Sequence, residues 1–297
     1  MEVDLQQCLR VAREAALAAG AIIKQNFGSG HLGIEQKSSH VDLVTETDKR
    51  CEEVIKSMLQ QHFPQHKFIG EETAAADGGT VHLTDEPTWM VDPLDGTTNF
   101  VHSYPFTCVS IGLAINRVPV VGVVHNPMLG ELFQAAQGHG AFLNDQPIKV
   151  SSTTDLKAAL FATEVGTLRS PETVAAVFDR IQTLTSSMRS VRCCGSCALN
   201  LVGVACGRLD AFYEIGFGGC WDVAAGVCIL REAGGQVLDP SGCLWDVMSR
   251  RVLGSNARLC PAVAKLLAGC KTSSEEPPAP PPPAAAAAAA ASSAQNS

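Results

Sequence analysis

An apolar run, Trp89 to Val91, ends on Asp92-Pro93-Leu94-Asp95 and passes into Gly96-Thr97-Thr98-Asn99. The run reads as a strand and the Gly-Thr-Thr-Asn segment as a turn into a helix, so two carboxylates must stand at a strand-to-helix junction. Carboxylates placed there suit a hard cation such as Mg²⁺, which takes oxygen ligands. A helix start offers N–H groups and the positive end of the helix dipole, which suit a phosphate. A cation site beside an anion site points to phosphoryl chemistry. The same D-P-x-D-G letters also spell an ordinary turn, because Pro presets φ and Gly admits positive φ. Taken alone, the stretch leaves both readings open.

The rest of the chain limits what can surround that junction. Its 297 residues, 46% hydrophobic and 18% charged, are enough for one large domain or two small ones with a substantial core. The net charge of −8, without a basic run, argues against nucleic acid as a partner. No apolar stretch is long enough to span a bilayer, and the acidic N-terminus resembles neither an export signal nor a transit peptide, so the expected location is the cytosol. In that reducing compartment the twelve cysteines read mostly as small buried hydrophobes. Cys194-Gly195-Ser196-Cys197 is a C-x-x-C, but a second pair of zinc ligands and a thioredoxin-like context are both missing.

Helical spacing of Leu5, Leu9, Ala12, Ala16, Ala19, Ile23 and Phe27 predicts a first helix stopped by Gly28, and a second helix is expected over 49–63, ended by Pro64. Residues 108–116, 120–125, 131–136 and 140–143 read as an antiparallel meander. The second half alternates: a strand at 160–163, a helix opened by Ser170-Pro171, a buried helix over 196–206, a strand at 209–214, a helix from Trp221 to Ala233 and a strand at 236–238. This mixture predicts a layered α+β fold over residues 1–270. From Lys271 the composition changes, with six prolines over 277–283 and unbroken alanine over 284–291, which predicts an unpacked tail over 271–297.

Three further acidic elements sit at predicted element ends. They are Gly70-Glu71-Glu72 after the apolar Phe68-Ile69, Asp48 at the close of Asp42-Leu-Val-Thr-Glu-Thr-Asp48, and Asp222 after Trp221. Separately, Asp48 and Asp222 read as helix caps. Together with Asp92 and Asp95 they are what an oxygen-ligand site gathered from distant segments requires.

These motifs, together with Asp92 to His102 and Trp221-Asp-Val-Ala-Ala-Gly226 followed by Glu232-Ala-Gly-Gly235, resemble the signatures of inositol monophosphatases over about residues 4 to 270. The resemblance implies a layered αβαβα sandwich, usually a homodimer. It implies hydrolysis of the phosphate monoester of a small polyol or sugar with Mg²⁺, about two to three ions per subunit, and inhibition by Li⁺. Glu71, Asp92, Asp95 and the Leu94 carbonyl match metal ligands, and Asp222 matches the ligand that completes the second metal. Thr97 matches the hydroxyl beside the attacking water, with Asp48 as its hydrogen-bonding partner. The Gly96 and Thr97 N–H groups match a phosphate cradle. Glu214 matches the acid that holds substrate hydroxyls, and Gly195, Ser196 and Cys197 align with a substrate-contacting turn. His102 fits the pattern and reads as structural.

One spacing departs from part of the family. Ile215-Gly216-Phe217-Gly218-Gly219-Cys220-Trp221 separates Glu214 from Asp222 by one residue more than in the animal enzymes. In this it resembles plant and bacterial members, which often accept L-galactose 1-phosphate as well as inositol 1-phosphate. Histidinol-phosphatase, bisphosphate nucleotidase and fructose bisphosphatase relatives are the neighbouring activities, and the compact Asp48-to-Glu71 interval weighs against the last two. A non-catalytic phosphate-binding relative is the alternative outside enzymes.

Overall fold

The computed structural model describes residues 3–29, 33–37, 43–79 and 81–280. Asp42 and residues 281–297 of the expected tail lie outside them.

Helix α1 (Leu5–Asn26) opens on Asp4, whose carboxylate accepts the N–H groups of Gln6 and Gln7, both at 3.0 Å. Half of its buried stripe is alanine, with Gly20 beside it, which lets the helix lie close on a sheet. Two short strands, β1 (Glu35–Gln36) and β2 (Leu43–Val44), pair with each other before α2 (Glu46–His62). Helix α2 begins three residues earlier than the apolar spacing predicts. Thr45 is the N-cap and Asp48 accepts the Thr45 N–H, a reciprocal pair that bears out Asp48 as part of the helix cap and sets the start at Glu46.

A seven-stranded sheet follows, built of β3 (Lys67–Gly70), β4 (Thr88–Asp95), β5 (Cys108–Ile115), β6 (Val118–Asn126), β7 (Glu131–Ala136), β8 (Ala141–Leu143) and β9 (Gln146–Ile148) in that spatial order. The β3–β4 pair is parallel and the rest are antiparallel, so the expected meander holds. Helix α3 (Glu71–Ala76) leaves the end of β3, and α4 (Thr97–Val101) leaves the end of β4. Strand β4 does not stop at Val91 but runs to Asp95, with the register to β5 slipping between Asp92 and Asp95. Pro93 has no N–H for the ladder, so the irregularity falls there.

The second sheet has the order β11-β10-β12-β14-β13, from β10 (Leu160–Thr163), β11 (Ser190–Arg192), β12 (Ala211–Ile215), β13 (Gly235–Leu238) and β14 (Arg251–Asn256). Between the sheets lie α6 (Cys197–Ala205), in which every residue is buried, and α7 (Cys220–Glu232), buried as far as Leu230. Helices α1 and α2 cover the outer face of the first sheet, and α5 (Pro171–Ser187) and α8 (Cys260–Ala268) that of the second. The result is the expected αβαβα sandwich. Gly122 sets its tightest spacing: a Cβ there would stand 2.3 Å from the Ala225 carbonyl oxygen.

Lys271 corrects the expected boundary. Residues 271–277 do not leave the body at 270 but pack on α5. Ser273 is buried, and Glu276 forms a buried ion pair with Arg180 through bonds of 2.6 and 2.7 Å. Residues 271–276 are all polar, and a polar composition does not report side-chain anchors such as Glu276.

Candidate active site

Six acidic side chains converge between the two sheets. The end of β4 supplies Asp92 and Asp95, α3 supplies Glu71, α2 supplies Asp48, β12 supplies Glu214 and the first turn of α7 supplies Asp222. All but Glu71 are buried. Asp92 Oδ1 accepts the Leu94 N–H at 2.9 Å, the Asx turn that takes the chain past Pro93. Asp95 Oδ2 accepts the Ser196 hydroxyl at 2.6 Å and the Ala198 N–H at 2.8 Å, so the first sheet is tied to the start of α6 through a site carboxylate. Asp222 Oδ2 accepts the Gly219 N–H at 3.1 Å.

Burial raises the pKa values of Asp48, Asp92, Asp95, Glu214 and Asp222, and repulsion from neighbouring carboxylates raises them further. Asp92 lies well above the ordinary carboxylate range through burial and then Glu71, Asp95 and Asp222, and Asp222 does so through burial and then Asp95 and Glu71. Asp95 is pushed up to about 6 by burial, against the pull of Ser196 and Ala198. Asp48 is likewise raised to about 6 by burial, partly offset by its bonds from Thr45. Among the described residues, no Lys, Arg or His forms an ion pair with Asp92, Asp95, Asp222 or Glu214; Lys37 reaches only Glu71 at 2.8 Å and Glu72 at 2.7 Å. Buried carboxylate charge without a protein countercharge, presented by oxygen atoms alone, fits a hard divalent cation. Among the described residues no three His, Cys, Asp or Glu side chains already stand in a closed coordination arrangement. Glu71, Asp48, Asp92, Asp95 and Asp222 are each turned toward protein donors.

Gly96 joins β4 to α4 with φ +90°, and a Cβ there would meet the carbonyl oxygens of Phe106 at 2.9 Å and Gly195 at 3.0 Å. Both the conformation and the crowding require glycine. Thr97, half-buried, has its hydroxyl 3.1 Å from Asp48 Oδ1 and 3.1 Å from the Leu94 carbonyl oxygen. One hydroxyl proton serves one acceptor at a time, so use of the Leu94 carbonyl by a cation directs the proton to Asp48. Helix α4 has only five residues, so its contribution at an anion is local N–H groups and not a long dipole.

On the second-sheet side, Glu214 is buried with Oε2 unpartnered, and its carboxyl is held well above the usual range by burial and then by Glu164, Asp222 and Asp95. The turn at Gly195 to Cys197 lies beside it. Ser196 and Cys197 do not present free side chains: the Ser196 hydroxyl goes to Asp95, and the Cys197 thiol lies against Glu214. His102 is an exposed C-cap of α4, away from the carboxylates' hydrogen bonds.

Asn99 of the opening motif and Glu164, which the sequence reading did not single out, complete the turn. Glu164 Oε1 accepts the N–H groups of Cys194 at 2.9 Å and Gly195 at 2.8 Å and the Asn200 amide at 2.7 Å. Asn99 Nδ2 donates to the Cys194 and Phe106 carbonyls, both at 2.7 Å. Glu164 follows a predicted strand directly, the same pattern as Glu71 after β3, and that signal was available. Lys37 carried no signal. All twelve cysteines are free thiols; burial pushes those of Cys194 and Cys197 upward, away from the reactive thiolate.

A sequence profile described as the inositol monophosphatase family matches residues 4–272. Inositol monophosphatase 3 of Solanum lycopersicum is 59% identical over 265 residues, covering 89% of this chain and 97% of that protein. Inositol monophosphatase 1 of Homo sapiens is 42% identical, covering 86% and 91%. The structure of inositol monophosphatase from Anabaena (Nostoc) sp. PCC 7120 superposes with a TM-score of 0.77 at 39% identity, covering 89% of this chain and 96% of that one.

Proposed function

Because the chain belongs to the inositol monophosphatase family, we propose that it is a Mg²⁺-dependent phosphoric monoester hydrolase acting on a small polyol or sugar monophosphate, with myo-inositol 1-phosphate and L-galactose 1-phosphate as its substrates. The observation that carries the reading is the group of buried carboxylates from separate elements with no basic partner among the described residues.

In this reading Glu71, Asp92, Asp95, Asp222 and the Leu94 carbonyl hold the divalent cations. When bound, the cations lower the pKa of water from about 15.7 toward neutrality and neutralise charge on the phosphoryl oxygens. The protein's part is positioning, because phosphoryl transfer needs little covalent chemistry from side chains. The Thr97 hydroxyl donates to Asp48, which leaves its lone pairs to orient a water beside Glu71. Asp48 is fixed to receive the Thr97 hydroxyl by the Thr45 N–H and hydroxyl that donate to its other carboxylate oxygen. Backbone N–H groups at Gly96 and Thr97 face the phosphate. Glu214, buried with one oxygen free, takes the substrate hydroxyls. The working unit is a homodimer, and the working location the cytosol; light scattering on the purified chain tests the first.

One experiment tests the reading. It compares kcat/KM for inositol 1-phosphate, L-galactose 1-phosphate and histidinol phosphate with Mg²⁺, each repeated with chelator. The expected result is turnover of the first two, abolished by chelator. Turnover that survives chelator contradicts the metal reading, and a preference for histidinol phosphate contradicts the substrate reading.

A further inference from the structure

The loop joining Glu214 to Asp222 has one side-chain anchor of its own, the buried Phe217. Gly216, Gly218 and Gly219 fill the other three positions between β12 and α7, and glycine gives a chain maximal freedom and no side chain to anchor. The loop touches a site carboxylate: the Gly219 N–H donates to Asp222, and a Cβ on Gly218 would stand 3.1 Å from Asp222 Oδ2. Beyond Phe217, its backbone is held from outside. The Gly216 N–H donates to the Arg250 carbonyl at 2.9 Å, and the Arg250 guanidinium donates to the carbonyls of Phe217 at 2.5 Å and Gly216 at 3.3 Å.

The next residue, Arg251, is buried at the start of β14. It donates to Asp239 at 2.8 Å and to the Pro277 carbonyl at 3.1 Å. Pro277 also lies against Gly216, whose added Cβ would meet Pro277 Cδ at 3.8 Å. Residues 271–277 therefore run from the end of α8 to the loop that borders the site. They are fastened along the way to α5. The Lys271 N–H donates to Asp179, Ser274 donates to Glu172 from both N–H and hydroxyl at 2.9 Å, and Glu276 takes both Nη atoms of Arg180. A cavity of about 340 Å³ remains between this segment, β12 and α8, lined by Arg180, Ile215, Arg251 and Pro277. Polar anchors, and not continuous apolar packing, thus hold the segment down.

We propose that residues 271–277 are a strap that positions the Gly216–Gly219 loop for the substrate's polyol, with Glu276 as the positioning residue; this rests on the reading of Glu214 and Asp222 as site residues. A buried bidentate Arg–carboxylate pair is strong only while both partners are present. Loss of Glu276 leaves Arg180 without its charge partner, and because the strap follows the last helix, the chain can relieve this by lifting the strap and letting water reach Arg180. The loop then loses Pro277 while the two sheets keep their cores.

The full-length E276A variant tests this. KM for inositol 1-phosphate rises about tenfold, in the range of couplings within one hydrogen-bonded network. kcat/KM for p-nitrophenyl phosphate, a monoester without polyol hydroxyls, and the Mg²⁺ concentration for half-maximal rate stay at the wild-type values. The double variant R180A/E276A is no worse than E276A. If E276A melts below the assay temperature, E276Q carries the same comparison. Equal effects on both esters, or none on either in a folded variant, overturn the strap. Failure of the wild-type chain to hydrolyse inositol 1-phosphate at all overturns the underlying substrate reading instead.

Discussion

The ends of β4 and β12 face each other across the site, and they are built in opposite ways. At the end of β4, Asp92, Leu94, Asp95, Gly96 and Thr97 lie within six consecutive residues, oriented by an Asx turn, a positive-φ glycine and a bond to Asp48. At the end of β12, Glu214 and Asp222 are joined by a glycine-rich loop. Their surroundings come from Glu164 after β10, the Cys194–Ala198 turn, Arg250, Arg251 and the 271–277 strap. The first end is specified locally and the second by contacts between residues far apart in sequence. Chemistry common to all phosphate monoesters is assigned to the local end, and recognition of one alcohol to the assembled end. Where a site is assembled from many segments, change in any one of them can retune selectivity without disturbing the reaction.

Several substitutions can break this division. The largest effect belongs to the β4 end: Asp92→Asn should lower kcat/KM for every phosphate ester by about 10³-fold or more, the scale of losing a group that stabilises transition-state charge. Circular dichroism should show the fold intact. At the β12 end, Glu214→Gln should lower kcat/KM for inositol 1-phosphate by about 10- to 100-fold, the value of a hydrogen bond to a charged group, measured by initial rates.

Metal removal gives a smaller, thermal signature. The raised pKa values of Asp48 and Asp95, about 6 each, mean that the folded chain binds protons more tightly than the unfolded one. That contribution is fully present below the unfolded carboxylate pKa and is lost as pH rises through about 6. The chelated protein should therefore lose Tm as pH rises through that window. Mg²⁺ should raise Tm more at pH 8 than at pH 6, read by calorimetry; an equal shift at both would disconnect the carboxylates from the cation.

The smallest effect lies away from both ends. Burial lowers the pKa of His125, which packs beneath Gly20 of α1. A depressed folded value means its stability contribution is present above about pH 6.5 and is lost as pH falls through that value. His125→Gln should flatten the acid limb of a denaturation profile slightly and leave kcat unchanged.

The same contrast explains what could be read in advance. The β4 end was legible because strand, carboxylates, turn glycine and helix start are contiguous, and the meander was legible because its strands alternate with turn residues. Strand β4 was cut short because Pro93 looks like a terminator, when it marks a bulge that keeps Asp92 and Asp95 in one strand. Strand β14 and helix α8 went unread: Arg251 and Ser255 are polar and buried, and only their partners Asp239 and the Asp210 carbonyl make that tolerable. The strap was masked by its composition, since its anchors are single side chains with partners about a hundred residues away.

The division of labour can be measured directly by a substrate switch within one experiment. kcat/KM for inositol 1-phosphate and for p-nitrophenyl phosphate is determined for the wild type, Asp92→Asn and Glu214→Gln. The account predicts that Asp92→Asn loses both activities together, whereas Glu214→Gln loses the first and keeps the second. A parallel loss of both in Glu214→Gln, or retention of either in Asp92→Asn, would contradict it.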